Sequence, residues 1–255
     1  HLSLRRQRQM CIRDRATPVQ AIYQYYNRAP FVIIGRKDRG ITTDFASLQG
    51  KKVAAAAVES TRRCWTMVAR QLGTPQDLFQ WVTTDFSARD NVVVRGDVDA
   101  ATYFHDSAVS LFARLPQQDL SVLEYAKTGL NLYGNAVLAS SRLIAEKPAA
   151  LRGFLAASNR ALKETLADPE PALAAIKARE GILNLDVERA RWAITRQYLA
   201  TAENRELGLG ALRPDILQHQ IDEVAAVFGL NSKPTVGQVF HSGLLPAAAQ
   251  RQVNA

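Results

Sequence analysis

Between residues 43 and 101 the chain alternates short apolar runs with amphipathic stretches, which restricts it to an α/β architecture more firmly than any other feature of its 255 residues. The stretch TDFASLQGKKVAAAAVESTRRCWTMVARQLG reads as a capped turn, a strand-length apolar run, a polar loop and a helix-length segment. FQWVTTD, SARDNVVVRG and DVDAATYF then repeat strand, helix and strand. Such a succession builds a small-molecule site from loops at the carboxyl ends of parallel strands. Extended outward, the pattern predicts strands over 31–36, 51–57, 79–84, 98–103 and 120–124, and helices over 60–72, 87–95 and 107–113. Gly50, Gly73, Gly96 and Gly129 punctuate these segments at turns and helix ends. The expected class is α/β, with a mostly parallel sheet and helices on its faces.

After one more extended piece, YGNAVLA at 133–139, the texture changes to helices alone. Pro148 fits a first helical turn, and Leu151, Phe154, Leu155, Leu162 and Leu166 recur at helical spacing. Asp168-Pro169 breaks the chain before a helix over 170–179, Asp186 is expected to cap a third, and Pro214 opens a fourth that Gly229 closes. The tail PTVGQVFHSGLLP reads as irregular chain lying against the body.

A net charge of +8 raises the question of nucleic acid, but its location argues against that partner. Residues 1–15 carry five arginines and one aspartate, about half of the excess, and the remainder is scattered without blocks. That opening segment, HLSLRRQRQMCIRDR, lacks apolar periodicity and the apolar stretch of a secretory signal. Its MCIRDR string resembles a translated sequencing-library adapter, so residues 1–15 read as a non-native scar or a disordered basic arm, and are set aside from fold reasoning. No run of about 18 apolar residues suggests a membrane span. Cys11 and Cys64 are the two cysteines and the four histidines lack ligand spacing, so no metal or cofactor is expected.

The chemistry-bearing candidates sit at the strand ends. VESTRR at 58–63 joins a strand to a helix, where unpaired N–H groups bind anions or polar ligand atoms, and Ser60 or Thr61 can cap. This is a ligand cradle or an ordinary capped surface helix. Glu59 in that loop would repel an anion on the same amides and suits an amine or aminopyrimidine, unless it serves only the helix dipole. Tyr103, Phe104 and His105 arrive at the end of another strand, where they could stack on or hydrogen-bond a planar ligand, although a lone histidine is more often a satisfied surface residue. Tyr23, Tyr25 and Tyr26, with Tyr133 and Asn135, cluster on the two extended segments flanking the α/β unit. Catalysis is poorly supported: Asp97, Asp99 and Asp106 lack a matching base or metal set, and Cys64 lies beside Trp65 in an amphipathic helix, where an inert thiol belongs.

Several ordered blocks carry a family resemblance: PFVIIGRKDRGITT, D-x-x-S-L-x-G-K-K-V at 44–53, R-G-D-V-D-A-A at 95–101, Tyr133-Gly134-Asn135, the helix over 148–166 and VFHSGLLP. Together they resemble the solute-binding proteins of ABC importers in the broad NMT1/THI5-like and SsuA-like group. The resemblance implies a type II periplasmic-binding-protein fold whose two α/β lobes close over a ligand. It places a remnant of the first lobe and the first crossing strand at 16–35, the second lobe at 36–133, and the return crossing strand with helices packing on the first lobe at 134–255. Phe31–Arg36 and 134–139 are the implied crossings. It also implies that a secretion or lipoprotein signal and most first-lobe strands, on the order of 100 residues, have no counterpart in this chain.

The function so implied is non-enzymatic: a protein in the periplasm, or lipid-anchored outside the cytoplasmic membrane, that passes a small molecule to an ABC permease. Glu59 tilts the expected ligand toward a nitrogen-containing heteroaromatic of thiamine-precursor or flavin type; the alternative is a sulfonate, taurine or nitrate. An effector-sensing domain of a transcription regulator is the reading from another class. The expected ligand contacts are Glu59, Ser60 and Thr61, with Tyr103 and His105, and Tyr133 and Asn135 on the hinge side.

Overall fold

A computed structural model describes residues 18–253, so the reading of residues 1–15 lies outside the described residues. Seven strands form two sheets: β1 Val19–Gln24, β2 Phe31–Arg36, β3 Lys52–Ala55, β4 Gln80–Thr83, β5 Ala100–Phe104, β6 Leu120–Glu124 and β7 Ala136–Ser140. Five of them make one sheet in the order β4-β3-β5-β2-β6, while β1 pairs with β7, antiparallel, and makes single bridges to Gly210 and Phe240. The sheet is mixed rather than mostly parallel. β3 runs parallel to β4 and β5, but β2 is antiparallel to both β5 and β6. The reason is topological: β2 enters from the end of the sheet at which β3 and β5 finish.

Period-two alternation sorts the side chains of the sheet onto two faces. Ile33, Val53 and Ala100 point to one face, where helix α1, Ser60–Leu72, packs Trp65, Met67 and Val68 with Phe45 and Tyr125. Val32, Ile34, Ala54, Ala101 and Tyr103 point to the other, against α2, Arg89–Arg95, and the short α3, Val109–Phe112. Helix α1 matches its expected span and ends at Gly73, whose φ of 65° is the left-handed cap that glycine adopts without penalty. The helix expected over 107–113 is instead a 3₁₀ turn, His105–Ala108, leading into α3.

The second body is helical. α4 Ser141–Glu146, α5 Pro148–Ala167, α6 Glu170–Arg179, α7 Leu185–Leu199, α8 Ala202–Leu207, α9 Pro214–Phe228, α10 Val236–Val239 and α11 Ala248–Arg251 follow β7. Leu151, Leu155, Leu162 and Leu166 of α5 and Tyr198 and Leu199 of α7 close over Ile22, Tyr23 and Ala139 of the β1–β7 pair. Leu217 and Ile221 of α9 pack with Ala21 and Phe240. The cap of α7 is Asn184, not Asp186: the Asn184 side chain accepts from the N–H groups of Asp186 and Val187, and Asp186 lies inside the first turn. The tail also departs from irregular chain, because Thr235 and Gln238 form a capping box that starts α10.

Phe31–Arg36 does not cross between the bodies; it is an interior strand of the five-stranded sheet. The crossing is made by residues 25–30 and 130–135, which run side by side. Tyr25 and Tyr26 N–H donate to the Asn135 carbonyl, Gly134 N–H to Tyr26, and Ala29 N–H to Leu132. Of the residues expected in the return crossing, only 134 and 135 belong to it, since Ala136–Ser140 is β7.

Gly210 fixes the start of this crossing. It has φ 81°, its carbonyl accepts from Gln24 N–H, and a Cβ there would lie 2.3 Å from the Tyr23 ring. Gly210→Ala combines a left-handed backbone with an overpacked aromatic, so it is expected to lower stability by roughly 2–5 kcal/mol. A urea midpoint unchanged from the parent would refute that assignment.

Candidate functional site

The carboxyl ends of β3, β4 and β5 and the amino end of β2 converge on one edge of the sheet, next to the crossing segments. Three loops define that edge: 56–59 before α1, 84–88 before α2, and the 3₁₀ turn His105–Ala108. Val58 and Phe86 stand exposed on the first two.

Beneath the first loop lies a buried ion pair. Arg89 Nη1 sits 2.9 Å from Glu59 Oε1, with both side chains less than a tenth exposed. Glu59 Oε2 accepts from Thr102 Oγ1 at 2.7 Å and from Ala56 N–H at 3.2 Å. The guanidinium of Arg89 also lies 4.2 Å above the Tyr103 ring and 5.3 Å from that of Phe86. Both oxygens of Glu59 thus face the interior, and its charge is balanced. Turned inward, Glu59 offers no charge at the mouth that would favour a nitrogen-rich heteroaromatic ligand.

Ser60 opens α1 and is exposed, whereas Thr61 behind it is fully buried and its hydroxyl has no partner among the described residues. No side chain caps the first N–H groups of α1. Tyr103 does not face the cleft: alternation along β5 turns its ring under Arg89, and its hydroxyl donates to Asp90 at 2.8 Å. Phe104, the next residue, takes the opposite direction and packs against Phe31 at 5.3 Å.

His105 joins the two bodies. Its Nδ1 is 3.0 Å from the hydroxyl of Tyr198 on α7, and its N–H donates to the Pro30 carbonyl. Beside it, Tyr26 OH donates to Asp106 at 3.0 Å and Arg191 to the Asp106 carbonyl. Burial of the ring holds the His105 pKa below its ordinary value, while Glu124 and Asp106 act in the opposite sense. Tyr133 points away from the mouth: its hydroxyl donates to Glu203 at 2.6 Å and accepts from Arg213 N–H at 2.8 Å. Asn135 is exposed and ties the crossing through its carbonyl.

The structure therefore brings Glu59, Ser60 and Thr61 together, sets His105 at the junction, and sends Tyr103 and Tyr133 elsewhere. Arg89 and Tyr198, the partners of Glu59 and His105, are not among the residues singled out from the sequence. Arg89 carried a usable signal, since a buried carboxylate demands a cation nearby; Tyr198 lies in an apolar helix pattern that has none. The three aspartates once weighed as acids are apart: Asp97 pairs with Arg95, Asp99 accepts from Lys52 N–H, and Asp106 serves Tyr26. Cys64 is pushed by burial up to about 11, as befits an inert thiol. Among the described residues no group of histidine, cysteine or acidic side chains could hold a metal, and no helix is long and apolar enough to cross a membrane.

The sequence model described as NMT1/THI5 like matches residues 1–172. No curated protein matches the chain in sequence. Among solved structures, the periplasmic aliphatic sulphonate binding protein SsuA from Escherichia coli is 20% identical with a TM-score of 0.67, covering 92% of this chain and 73% of its own. The alkanesulfonate-binding protein SsuA from Xanthomonas axonopodis pv. citri, bound to MOPS, is 16% identical with a TM-score of 0.66, covering 89% and 74%. The desulfurization enzyme DSZB is 12% identical with a TM-score of 0.54, covering 89% and 78%. At these identities the likeness is one of fold: the chain has the periplasmic-binding-protein fold, shared mainly with transport proteins.

Two tests follow from the geometry. Glu59→Gln leaves Arg89 buried without a counter-charge and is expected to cost about 3 kcal/mol, whereas Glu59→Leu with Arg89→Met together should recover most of that loss. Equal destabilisation by the single and double changes, in urea titrations, would contradict the pairing. For His105, the folded state binds a proton less readily than the unfolded chain, so stability is level above the ordinary value of 6.5 and falls as pH drops below it. His105→Gln should flatten that acid limb, and an unaltered limb would show that His105 does not contribute to it.

Proposed function

The chain belongs to the NMT1/THI5-like family, and from that premise we propose that it is the solute-binding component of an ABC import system, acting in the periplasm or on a lipid anchor outside the cytoplasmic membrane. It captures a small oxyanion of alkanesulfonate type and presents it to a membrane permease without transforming it. The observation that carries the anionic ligand is the inward turn of Glu59, whose charge Arg89 neutralises. With that carboxylate withdrawn, the uncapped start of α1 offers its N–H groups, and the helix dipole, to a negative group. Ser60 at the mouth and Thr61 behind it supply hydroxyls of the right kind. The sulfonate-binding proteins that share the fold agree with this choice over a heteroaromatic one.

The bodies act as lobes: residues 31–124 form one, the β1–β7 pair with the helices after Ser140 the other, and residues 25–30 and 130–135 are the hinge. Glu59 positions the loop and does not touch ligand. His105 links the two lobes through its contact to Tyr198. Tyr133 and Asn135 hold the hinge in register, and Tyr103 backs Arg89. A ligand that bridges both lobes favours the closed state by its differential affinity for it.

Thermal unfolding of the chain with ethanesulfonate, taurine, nitrate, an aminopyrimidine and riboflavin separates the alternatives. Ethanesulfonate at about 100 times its Kd should add about 2.7 kcal/mol of stability. Stabilisation by the pyrimidine or flavin and not by the sulfonate would overturn the anionic reading.

A further inference from the structure

Arg28 stands apart from the other arginines. It lies on the crossing segment and is only partly exposed; its Nε, like that of Arg89, is buried without a hydrogen-bond partner, but unlike Arg89 its guanidinium has no other polar partner among the described residues. Among the described residues it is the one buried or half-buried arginine that makes neither a hydrogen bond nor an ion pair. Arg89 has Glu59, Arg36 has Asp38 and two carbonyls, Arg62 has Thr83, Arg191 has Glu188 and the Asp106 carbonyl, Arg213 has Glu206, and Arg251 has a set of carbonyls. The contact given to Arg28 is with an aromatic face: its Cζ lies 5.4 Å from the centre of the Tyr198 ring.

An Nε–H buried without an acceptor is costly, and the cation–π contact restores only part of the loss. The neighbouring carboxylates do not answer it. Glu124 is engaged by Lys127 at 2.7 Å, and Asp106 accepts from Tyr26. Tyr198, which packs under Arg28, also holds His105, so the guanidinium stands where the crossing segment, α7 and the sheet edge meet. A five-donor fork in that place matches the geometry of a planar or tetrahedral oxyanion.

We propose that Arg28 is the charge-recognising residue of the interlobe site, pairing through its guanidinium with the sulfonate or carboxylate oxygens of the solute. The proposal rests on the solute-binding reading and adds to it a specificity-determining side chain on the hinge itself. It makes anion capture and lobe closure one event, because the residue that meets the charge also lies against α7.

Ethanesulfonate and its uncharged analogue ethanesulfonamide, titrated by calorimetry into the parent chain, Arg28→Gln and Arg28→Lys, test it. The parent should prefer the sulfonate. Arg28→Gln should weaken sulfonate binding roughly 10- to 100-fold and leave the sulfonamide unaffected, with Arg28→Lys in between. Because the guanidinium is uncompensated before ligand arrives, ligand-free Arg28→Gln should melt no lower than the parent. Undiminished sulfonate binding by Arg28→Gln would overturn the role of Arg28 and leave the solute-binding reading standing. A large drop in the ligand-free melting temperature would mark Arg28 as structural and overturn it as well. Failure of the parent to bind the sulfonate at all would remove both.

Discussion

The ion pair between Arg89 and Glu59 is the interaction on which the organisation of the ligand edge depends. Three separate pieces of chain meet there: the loop after β3 through Glu59 and Ala56, the start of α2 through Arg89, and the middle of β5 through the Thr102 hydroxyl and the Tyr103 ring beneath the guanidinium. Removing two charges from water carries a penalty that only good geometry and further hydrogen bonds offset. Here the carboxylate has three donors, and the arginine has an acceptor and two aromatic faces. The pair therefore dictates the shape of the loop as much as its stability, since any other path for residues 56–59 would leave Arg89 alone. It also fixes the sign of the field at the mouth by hiding the negative charge.

The crossing is built on a different principle, with polar contacts of modest worth distributed along two adjacent strands of chain. Backbone bonds hold 25–30 against 130–135, and the Gln24 side chain spans them by donating to the carbonyls of Tyr26, Gly134 and Asn135. Tyr133, Asn27 and Thr201 then tie this ribbon to the chain around α8, through Glu203 and Arg213 N–H. Toward the five-stranded sheet the ribbon is held as well: Ala29 N–H donates to the Leu132 carbonyl, the Pro30 carbonyl accepts from His105 N–H, and Ala29, Leu130 and Leu132 are buried in the core of that sheet.

How much of this was legible in the sequence follows from the range of each interaction. α1 was readable to the residue because its apolar spacing and its Gly73 cap are local. The α7 cap was misplaced by two residues because asparagine and aspartate are both good caps, and the choice between Asn184 and Asp186 lies in backbone geometry. β2 was mistaken for a crossing because an apolar strand looks alike whether it joins two bodies or lies within one; pairing with β5 and β6, some 70 and 90 residues away, decides it. Glu59 was found but its direction was not, since its partner Arg89 is 30 residues distant. Tyr103 failed for the plainest reason: counting by two along β5 from Ala101 already assigns it to the inner face.

Charge pairing then explains why a buried arginine and a half-buried one carry opposite meanings. Arg89 has its counter-charge within one body, a carboxylate that the sheet edge delivers to its Nη1, and so it acts on the solute only through the loop it holds. Arg28 is satisfied by neither body. Its segment is too short to supply a carboxylate, and the acidic groups on either side are committed elsewhere. A charge left open on a crossing between two bodies favours whatever brings a counter-charge to it, and a solute that does so is held by both bodies at once. Affinity and closure then draw on the same contact, so a ligand lacking the anion loses both together.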